Sequence, residues 1–309
     1  MFATQVVRPV FYKNPMNMKK KVLRFGIPEG ALQAQTQKLF TVAGYNFRIQ
    51  EVLDLVSIDD QEISCILARP REIASYTATG FLDAGITTQD AYLDIKANLL
   101  EVCDLNFTRD NWGRARVVVA VPERSPIKKL QDLKGKKILT RLPGIAKEFL
   151  RKNHISAKIL ISESSTESKI PAVADAAIEL TRTGTTLKLH NLRILQSVME
   201  TSAVLVATKQ GLQDKWKKEK IENLAMLLRG ASLAQTYSGI MLHVPKLTLQ
   251  KTLAILPALK KPTITSLQEN SLLDVFTVVL KKELRVLLPQ LKKLGCTDIV
   301  EFSLNKVVL

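Results

Sequence analysis

Three kinds of residue are scarce in this 309-residue chain, and each scarcity closes off a class of protein. Cysteine occurs only at Cys65, Cys103 and Cys296, with no C-x-x-C pair. An odd, scattered set excludes a disulfide scaffold, argues against a structural zinc centre and fits a reducing compartment. Histidine occurs only at His154, His190 and His243, without an H-E-x-x-H pattern or a close pair, so a histidine-rich metal centre is not expected. Aromatic residues are 6% of the chain, too few for base stacking, and nucleic acid is therefore not an expected partner. Apolar runs such as residues 117–121 and 203–207 are strand-sized, far below the ~20 residues of a membrane span. No membrane partner is expected either.

What is present is ordinary globular chemistry with a basic surplus. Apolar residues make up 46% and charged residues 24%, which places the chain among folded globular proteins. At ~150 residues per domain, the length corresponds to two or three domains. The formal net charge of +16 points to anionic partners. That charge is spread over many short lysine clusters, which read as solvated faces around a cleft for a small phosphorylated molecule. Residues 1–21 hold no acid and no apolar secretory segment, so they read first as a short disordered arm on a cytoplasmic protein, with an acid-poor organelle transit peptide as the alternative.

Strand and helix patterns alternate. Residues 22–27 read as a strand, Leu32, Leu39, Phe40 and Ala43 as one helical face, and Gly44 as its stop. Strands at 63–68 and 82–86 and helices at 71–79 and 89–95 complete a first parallel α/β unit. A second unit comes next: strands at 116–121, 136–139 and 158–161, helices at 145–152 and 172–180, and strands at 192–198 and 203–207. Two such units imply a ligand in the crevice between them. The end of the chain reads βαββαβ, with Leu249, Leu253 and Leu256 on the first helix and Leu284, Leu287, Leu288, Leu291 and Leu294 on the second. Pro289 falls inside that second helix, at a local cost.

The most informative stretch is Asp175-Ala-Ala-Ile-Glu179-Leu-Thr181-Arg182-Thr183-Gly184-Thr185-Thr186-Leu187. It reads as an acidic helix end running into a loop of hydroxyls with one arginine and one glycine. Glycine lets backbone N–H groups approach a phosphate, and threonines add hydroxyl donors. An acid just ahead of the loop suits ribose hydroxyls or an ion beside them. Standing alone, the segment could equally be an ordinary Thr/Gly turn.

It resembles the phosphoribosyl-pyrophosphate loop of the ATP phosphoribosyltransferase family, A-D-x-I-x-D-L-V-S-T-G-x-T-L. Upstream, Arg71-Glu-Ile-Ala and Gly80-Phe-Leu-Asp83-Ala-Gly85-Ile86-Thr-Thr88-Gln-Asp90 resemble the family's R-x-x-D-I-P and G-x-x-D-L-G-I-x-G-x-D. Leu133-Lys-Gly135-Lys136-Lys-Ile138-Leu-Thr140 resembles L-x-G-K-R-I-A-T. Met241-Leu-His-Val-Pro245, Leu256-Pro-Ala-Leu-Lys-Lys-Pro262-Thr263 and Leu291-Lys-Lys-Leu-Gly295-Cys-Thr-Asp298 resemble the regulatory domain of the family's long form. The resemblance spans residues 22–308.

The fold class it implies is α/β: two periplasmic-binding-protein-like α/β domains with a cleft between them, plus a C-terminal ferredoxin-like βαββαβ domain. The division would be 1–111 with 199–228, 112–198, and 229–309. The reaction implied is attack of N1 of ATP on C1 of phosphoribosyl pyrophosphate, with Mg2+ on the leaving pyrophosphate. L-histidine would act as feedback inhibitor on a homo-oligomer, dimer to hexamer. Carried over residue by residue, phosphoribosyl pyrophosphate would meet Glu167, Glu179, Arg182, Thr183, Gly184, Thr185, Thr186 and Leu187. ATP would meet Gly30, Asp83, Thr88 and Asp90, and histidine Leu259, Pro262 and Thr263. No residue stands out as a catalytic acid or base.

The chain departs from the pattern at several of these positions. Pro28-Glu29-Gly30-Ala31-Leu32 stands where the family has P-K-G-R-L, so a lysine is replaced by an acid and an arginine is lost. Thr88 replaces a glycine, Ser164-Ser165-Thr166-Glu167 replaces G-S-V-E, and Glu179-Leu-Thr181-Arg182 replaces D-L-V-S. Losing the arginine removes a bidentate phosphate donor, which Arg182 could replace. Two readings remain: a working transferase, or a catalytically weak or silent relative that binds histidine or a nucleotide and regulates a partner. A solute-binding protein of similar shape fits less well, because no export signal is seen.

Overall fold

Leu23, Phe25 and Ile27 alternate along the first strand with no solvent exposure, and that strand organises the first of three sheets. The computed structural model describes residues 21–50, 55–109, 111–257, 261–267 and 271–308. All but the last residue of the expected N-terminal arm lies outside them. The chain begins with β1 (Leu23–Pro28), α1 (Gln33–Ala43), the antiparallel pair β2 (Phe47–Gln50) and β3 (Leu55–Ile58), and β4 (Ile63–Ala68). Next come α2 (Pro70–Ala78), β5 (Ala84–Thr88), α3 (Gln89–Asp94) and β6 (Leu100–Asp104). A small pair, β7 (Phe107–Thr108) and β8 (Asn111–Trp112), leads across to β9 (Ala115–Pro122), β10 (Lys137–Thr140), α4 (Pro143–Lys152), β11 (Lys158–Ile161) and β12 (Ala176–Thr181). Then α5 (Thr185–Leu189) and β13 (Leu192–Thr201) return the chain to β14 (Ala203–Ala207), α6 (Lys209–Gln213) and α7 (Lys215–Thr236).

The first sheet has the order β4-β1-β5-β14-β6 and the second β11-β10-β12-β9-β13. In the first, β1 runs parallel to β4 and β5 while β14 is antiparallel; in the second, β10 runs parallel to β11 and β12. The chain thus passes twice between two α/β units. The carboxyl ends of their parallel strands carry the Gly30 turn, after β1, and the Thr/Gly loop, after β12. A third sheet, β16-β17-β15-β18, is all antiparallel. It is built from β15 (Tyr237–Pro245), α8 (Leu249–Ile255), β16 (Thr263–Ser266), β17 (Leu272–Leu280), α9 (Lys281–Lys293) and β18 (Thr297–Ser303), the expected βαββαβ order. Ile240, Leu242, Val244 and Val275 of the sheet meet Leu284, Leu287 and Leu291 of α9 in one core. Pro289 lies inside α9 and those three leucines still hold the helix in place.

Three sequence expectations are corrected. Residues 172–180 do not form a helix: Ala176, Ala177 and Ile178 are fully buried in the central strand β12, between β10 and β9. A short apolar run buried on both faces has no period of its own, so helix and strand look alike in sequence. Leu256 and Leu294 lie just beyond the ends of α8 and α9, whose last residues are Ile255 and Lys293. The 22-residue helix α7 is legible in sequence only as a lysine cluster, and it continues through residue 229, where the expected division of the chain falls. Ala231 on α7 belongs to the first unit's core.

Candidate active site

The loop at residues 183–187 leaves the carboxyl end of β12 and closes into α5. Gly184 takes φ +80°, a left-handed conformation that L side chains adopt only at a cost, and its N–H donates to Thr181 Oγ1 at 3.0 Å. Thr183 Oγ1 and Thr185 Oγ1 lie 2.8 Å apart, so the two hydroxyls face the same side of the loop. The Thr185 N–H donates to Thr183 Oγ1 at 3.4 Å, and the other first-turn amides of α5 have no acceptor within the helix, which suits this turn to an anion. The Leu187 side chain is 1% exposed and packs against Val118, Leu139 and Leu192, anchoring the loop from below and leaving only its backbone amide to face a ligand. Arg182 is exposed, and no described residue pairs with its guanidinium.

Glu179 sits on β12 rather than at a helix end. Its Oε1 accepts the Leu180 N–H at 2.9 Å, whereas its buried Oε2 and the buried Thr166 hydroxyl near it make no well-aligned hydrogen bond among the described residues. Burial pushes the Glu179 carboxyl above its ordinary value; the nearby Thr166 hydroxyl and the Leu180 amide pull it down, Glu167 adds to the rise, and Arg141 opposes it. Glu167 opens a 3-10 turn after β11, and Lys169 of the same turn donates to Ser162 Oγ and Ser164 Oγ at 3.0 Å each. Two carboxylates and a lysine are thereby set beside the phosphate-type loop.

The first unit contributes its own carboxyl edge. Gly30 takes φ +72° just after β1, and Thr88 ends β5. Thr88 has φ −120°, so the threonine at this glycine position needs no strained backbone. Asp90 receives a hydrogen bond from Thr201 Oγ1 at 2.6 Å; burial raises its carboxyl, partly offset by the Thr201 and Thr88 hydroxyls. Glu29, the acid in place of a lysine, pairs with Arg69 at 3.2 Å across the ends of β1 and β4. Asp83 is corrected: it precedes β5 at the opposite, amino edge and is 4% exposed. There it is bound by Arg24 and Lys217, each at 2.8 Å, and ties β1 and α7 to the start of β5. Of the expected histidine contacts, Leu259 lies outside the described residues, while Pro262 and Thr263 lead into the exposed edge strand β16.

No group of three or more histidine, cysteine or acidic side chains occurs among the described residues, so a divalent ion would take most of its oxygens from substrate and water. The unpartnered Glu179 Oε2 and the adjacent Glu167 are the carboxylates that fit such an ion. No helix of the described residues is long and apolar enough to cross a membrane.

Comparison with known proteins gives the family. Residues 69–230 match the family described as "HisG: ATP phosphoribosyltransferase" and residues 234–306 match "HisG, C-terminal domain". An ATP phosphoribosyltransferase of Thermodesulfovibrio yellowstonii is 40% identical over 291 residues, covering 94% of this chain and all of that protein. That of Chlorobaculum parvum is 40% identical over 293 residues, covering 95% and 100%. Among solved structures, the ATP phosphoribosyl transferase (HisG:HisZ) complex from Thermotoga maritima superposes with a TM-score of 0.57 at 22% identity. It covers 67% of this chain and 98% of that one, a likeness of fold.

Proposed function

The chain belongs to the ATP phosphoribosyltransferase family, and from that premise we propose that it transfers phosphoribosyl from phosphoribosyl pyrophosphate to N1 of ATP, the first step of histidine biosynthesis. The observation that carries the reading is the loop at 183–187, with a left-handed Gly184, facing hydroxyls and an unpartnered Glu179 oxygen beside it. The 5-phosphate sits on the α5 turn, and Glu179 accepts hydrogen bonds from the ribose hydroxyls. Adenine N1 is a lone-pair nucleophile that needs no strong base, so the work left to the protein is alignment and neutralisation of developing negative charge. Arg182, Arg141 and Lys169 are the cations available for that charge. Mg2+, when bound to the leaving pyrophosphate, supplies electrostatic stabilisation, and Glu179 and Glu167 are the side chains that would touch it.

We divide the chain along its sheets, with the third domain beginning at Tyr237 after α7. That domain takes L-histidine and drives self-association. Its uncovered sheet face presents Met241, Phe276, Val300 and Phe302, with the two phenylalanine rings stacked at 5.8 Å. An apolar face of this kind suits a second copy of the chain. One observation favours a regulatory subunit: Glu29, paired with Arg69, stands where the family pattern has a lysine. Calorimetry of phosphoribosyl pyrophosphate tests the proposal, which expects saturable, Mg2+-dependent binding. Heat no different from dilution would remove the substrate assignment.

A further inference from the structure

Helix α4 begins without a cap of its own. Its N-cap residue, Leu142, has no side-chain oxygen, and Pro143 opens the helix without an N–H. The acceptor comes from the other α/β unit: Asp94 Oδ1, on the last residue of α3, receives the Ile145 N–H at 2.9 Å. The Asp94 side chain is completely buried, and its Oδ2 lies 2.7 Å from the Arg71 guanidinium of α2. At the same junction a Cβ on Gly144 would stand 1.9 Å from the Asp94 carbonyl oxygen, so no side chain fits between the helices. Both helices come after carboxyl ends of sheet strands, α3 after β5 and α4 after β10, so this contact spans the edge on which the substrate loops lie.

We propose that Asp94 is a positioning residue that caps α4 across the domain boundary and, with Gly144, sets the separation of the two halves of the substrate cleft. The inference rests on the transferase reading for its kinetic consequence but not for its structural one. Closing two reactants into line is the main service the protein renders here, and a displacement of about 1 Å can cost ~100-fold in rate. The phosphate loop lies entirely on the second unit, so its affinity should survive a change in cleft separation, while turnover should not.

The test uses the full chain with Gly144→Ala, Asp94→Ala and Asp94→Asn. The last keeps an acceptor for the Ile145 amide while removing the charge facing Arg71. Spin labels on Thr79→Cys and Lys147→Cys report the distance between α2 and α4. Burial raises all three native thiols, those of Cys65 and Cys103 to about 12, which slows their reaction with the label relative to the two exposed introduced cysteines. Gly144→Ala and Asp94→Ala should widen that distance and lower kcat more than ~10-fold, with affinity for phosphoribosyl pyrophosphate within ~2-fold of the parent. Asp94→Asn should retain most of both. Unchanged distances, or widened distances with unchanged kcat, would overturn the proposal. Should Gly144→Ala fail to fold, Asp94→Ala decides alone. A parent without turnover counts against the transferase reading and leaves the distance measurement to judge the cap.

Discussion

Gly184 holds φ +80° with its nearest side-chain neighbour, Ile194 Cδ1, 3.8 Å from where a Cβ would stand. Space is therefore not what demands glycine; the backbone conformation is, and a β-branched residue there costs roughly 1–3 kcal/mol locally. Relaxing that strain moves the Thr183 and Thr185 hydroxyls apart, so Gly184→Val should weaken phosphoribosyl pyrophosphate binding at least ~10-fold in calorimetry, with the melting temperature lowered only modestly. Unchanged affinity in a folded protein would remove the loop from the substrate site. This position is legible because the loop is continuous in sequence. Glu29–Arg69 and Asp94–Ile145 are not, because their partners lie 40 and 51 residues apart and meet only once the sheets form.

At Asp83, burial raises the carboxyl, but hydrogen bonds from the Arg24 side chain, Lys217 and the Arg24 amide outweigh it and hold the group below its ordinary 3.8. The folded chain then binds fewer protons at this site than the unfolded one. Its contribution to stability is complete above the ordinary carboxylate value and is lost as pH falls through the depressed one. Because Arg24 and Lys217 stay partly solvated, Asp83→Asn should cost ~2 kcal/mol at neutral pH, less than a wholly buried pair. Thermal melts between about pH 5 and about pH 2 should then fall less steeply than those of the parent. Equal slopes would show that other groups govern acid stability.

At the level of elements, legibility tracks periodicity. Strand β11 falls on residues 158–161 as read from sequence, and α9 announces itself through leucines spaced on one face. Strand β12 is misread because burial on both sides erases alternation. Helix α7 is missed because its lysine-rich first turns hide the apolar face beyond them, although Ile221, Leu224, Ala225 and Leu228 are spaced i, i+3, i+4, i+7 and all are buried. Leu287, 4% exposed in the third core, gives the matching test of packing. Leu287→Ala should cost ~2–5 kcal/mol, read as a shifted midpoint in urea for the third domain. A shift below ~1 kcal/mol would mean that α9 docks loosely.

Across the whole molecule, the third domain is tied to the first unit at two places. Lys281, opening α9, donates to the Ala234 and Gln235 carbonyls at the end of α7, which satisfies orphan acceptors of that helix. Near the chain's end, Lys306 donates to the Ala43 carbonyl at the end of α1, and the Val307 N–H donates to the Gly230 carbonyl on α7. A ligand that prefers one arrangement of the third domain is thereby linked to the unit bearing Gly30, Thr88 and Asp90, and only such a preference can shift activity. Millimolar L-histidine should raise the melting temperature of the intact chain, and truncation after Thr236 should abolish the rise. No histidine-dependent shift would leave the third domain a purely structural element.

The central claim, that this chain is a working transferase despite Glu29 and Ala31, meets its most direct test in the ultraviolet absorbance of phosphoribosyl-ATP. The assay supplies ATP, phosphoribosyl pyrophosphate and Mg2+ to the purified chain, with pyrophosphate removed as it forms. A working transferase gives a steady rise that needs both substrates and falls sharply in Gly184→Val. A flat trace from folded protein that still binds histidine would contradict it and make the chain a silent regulatory relative.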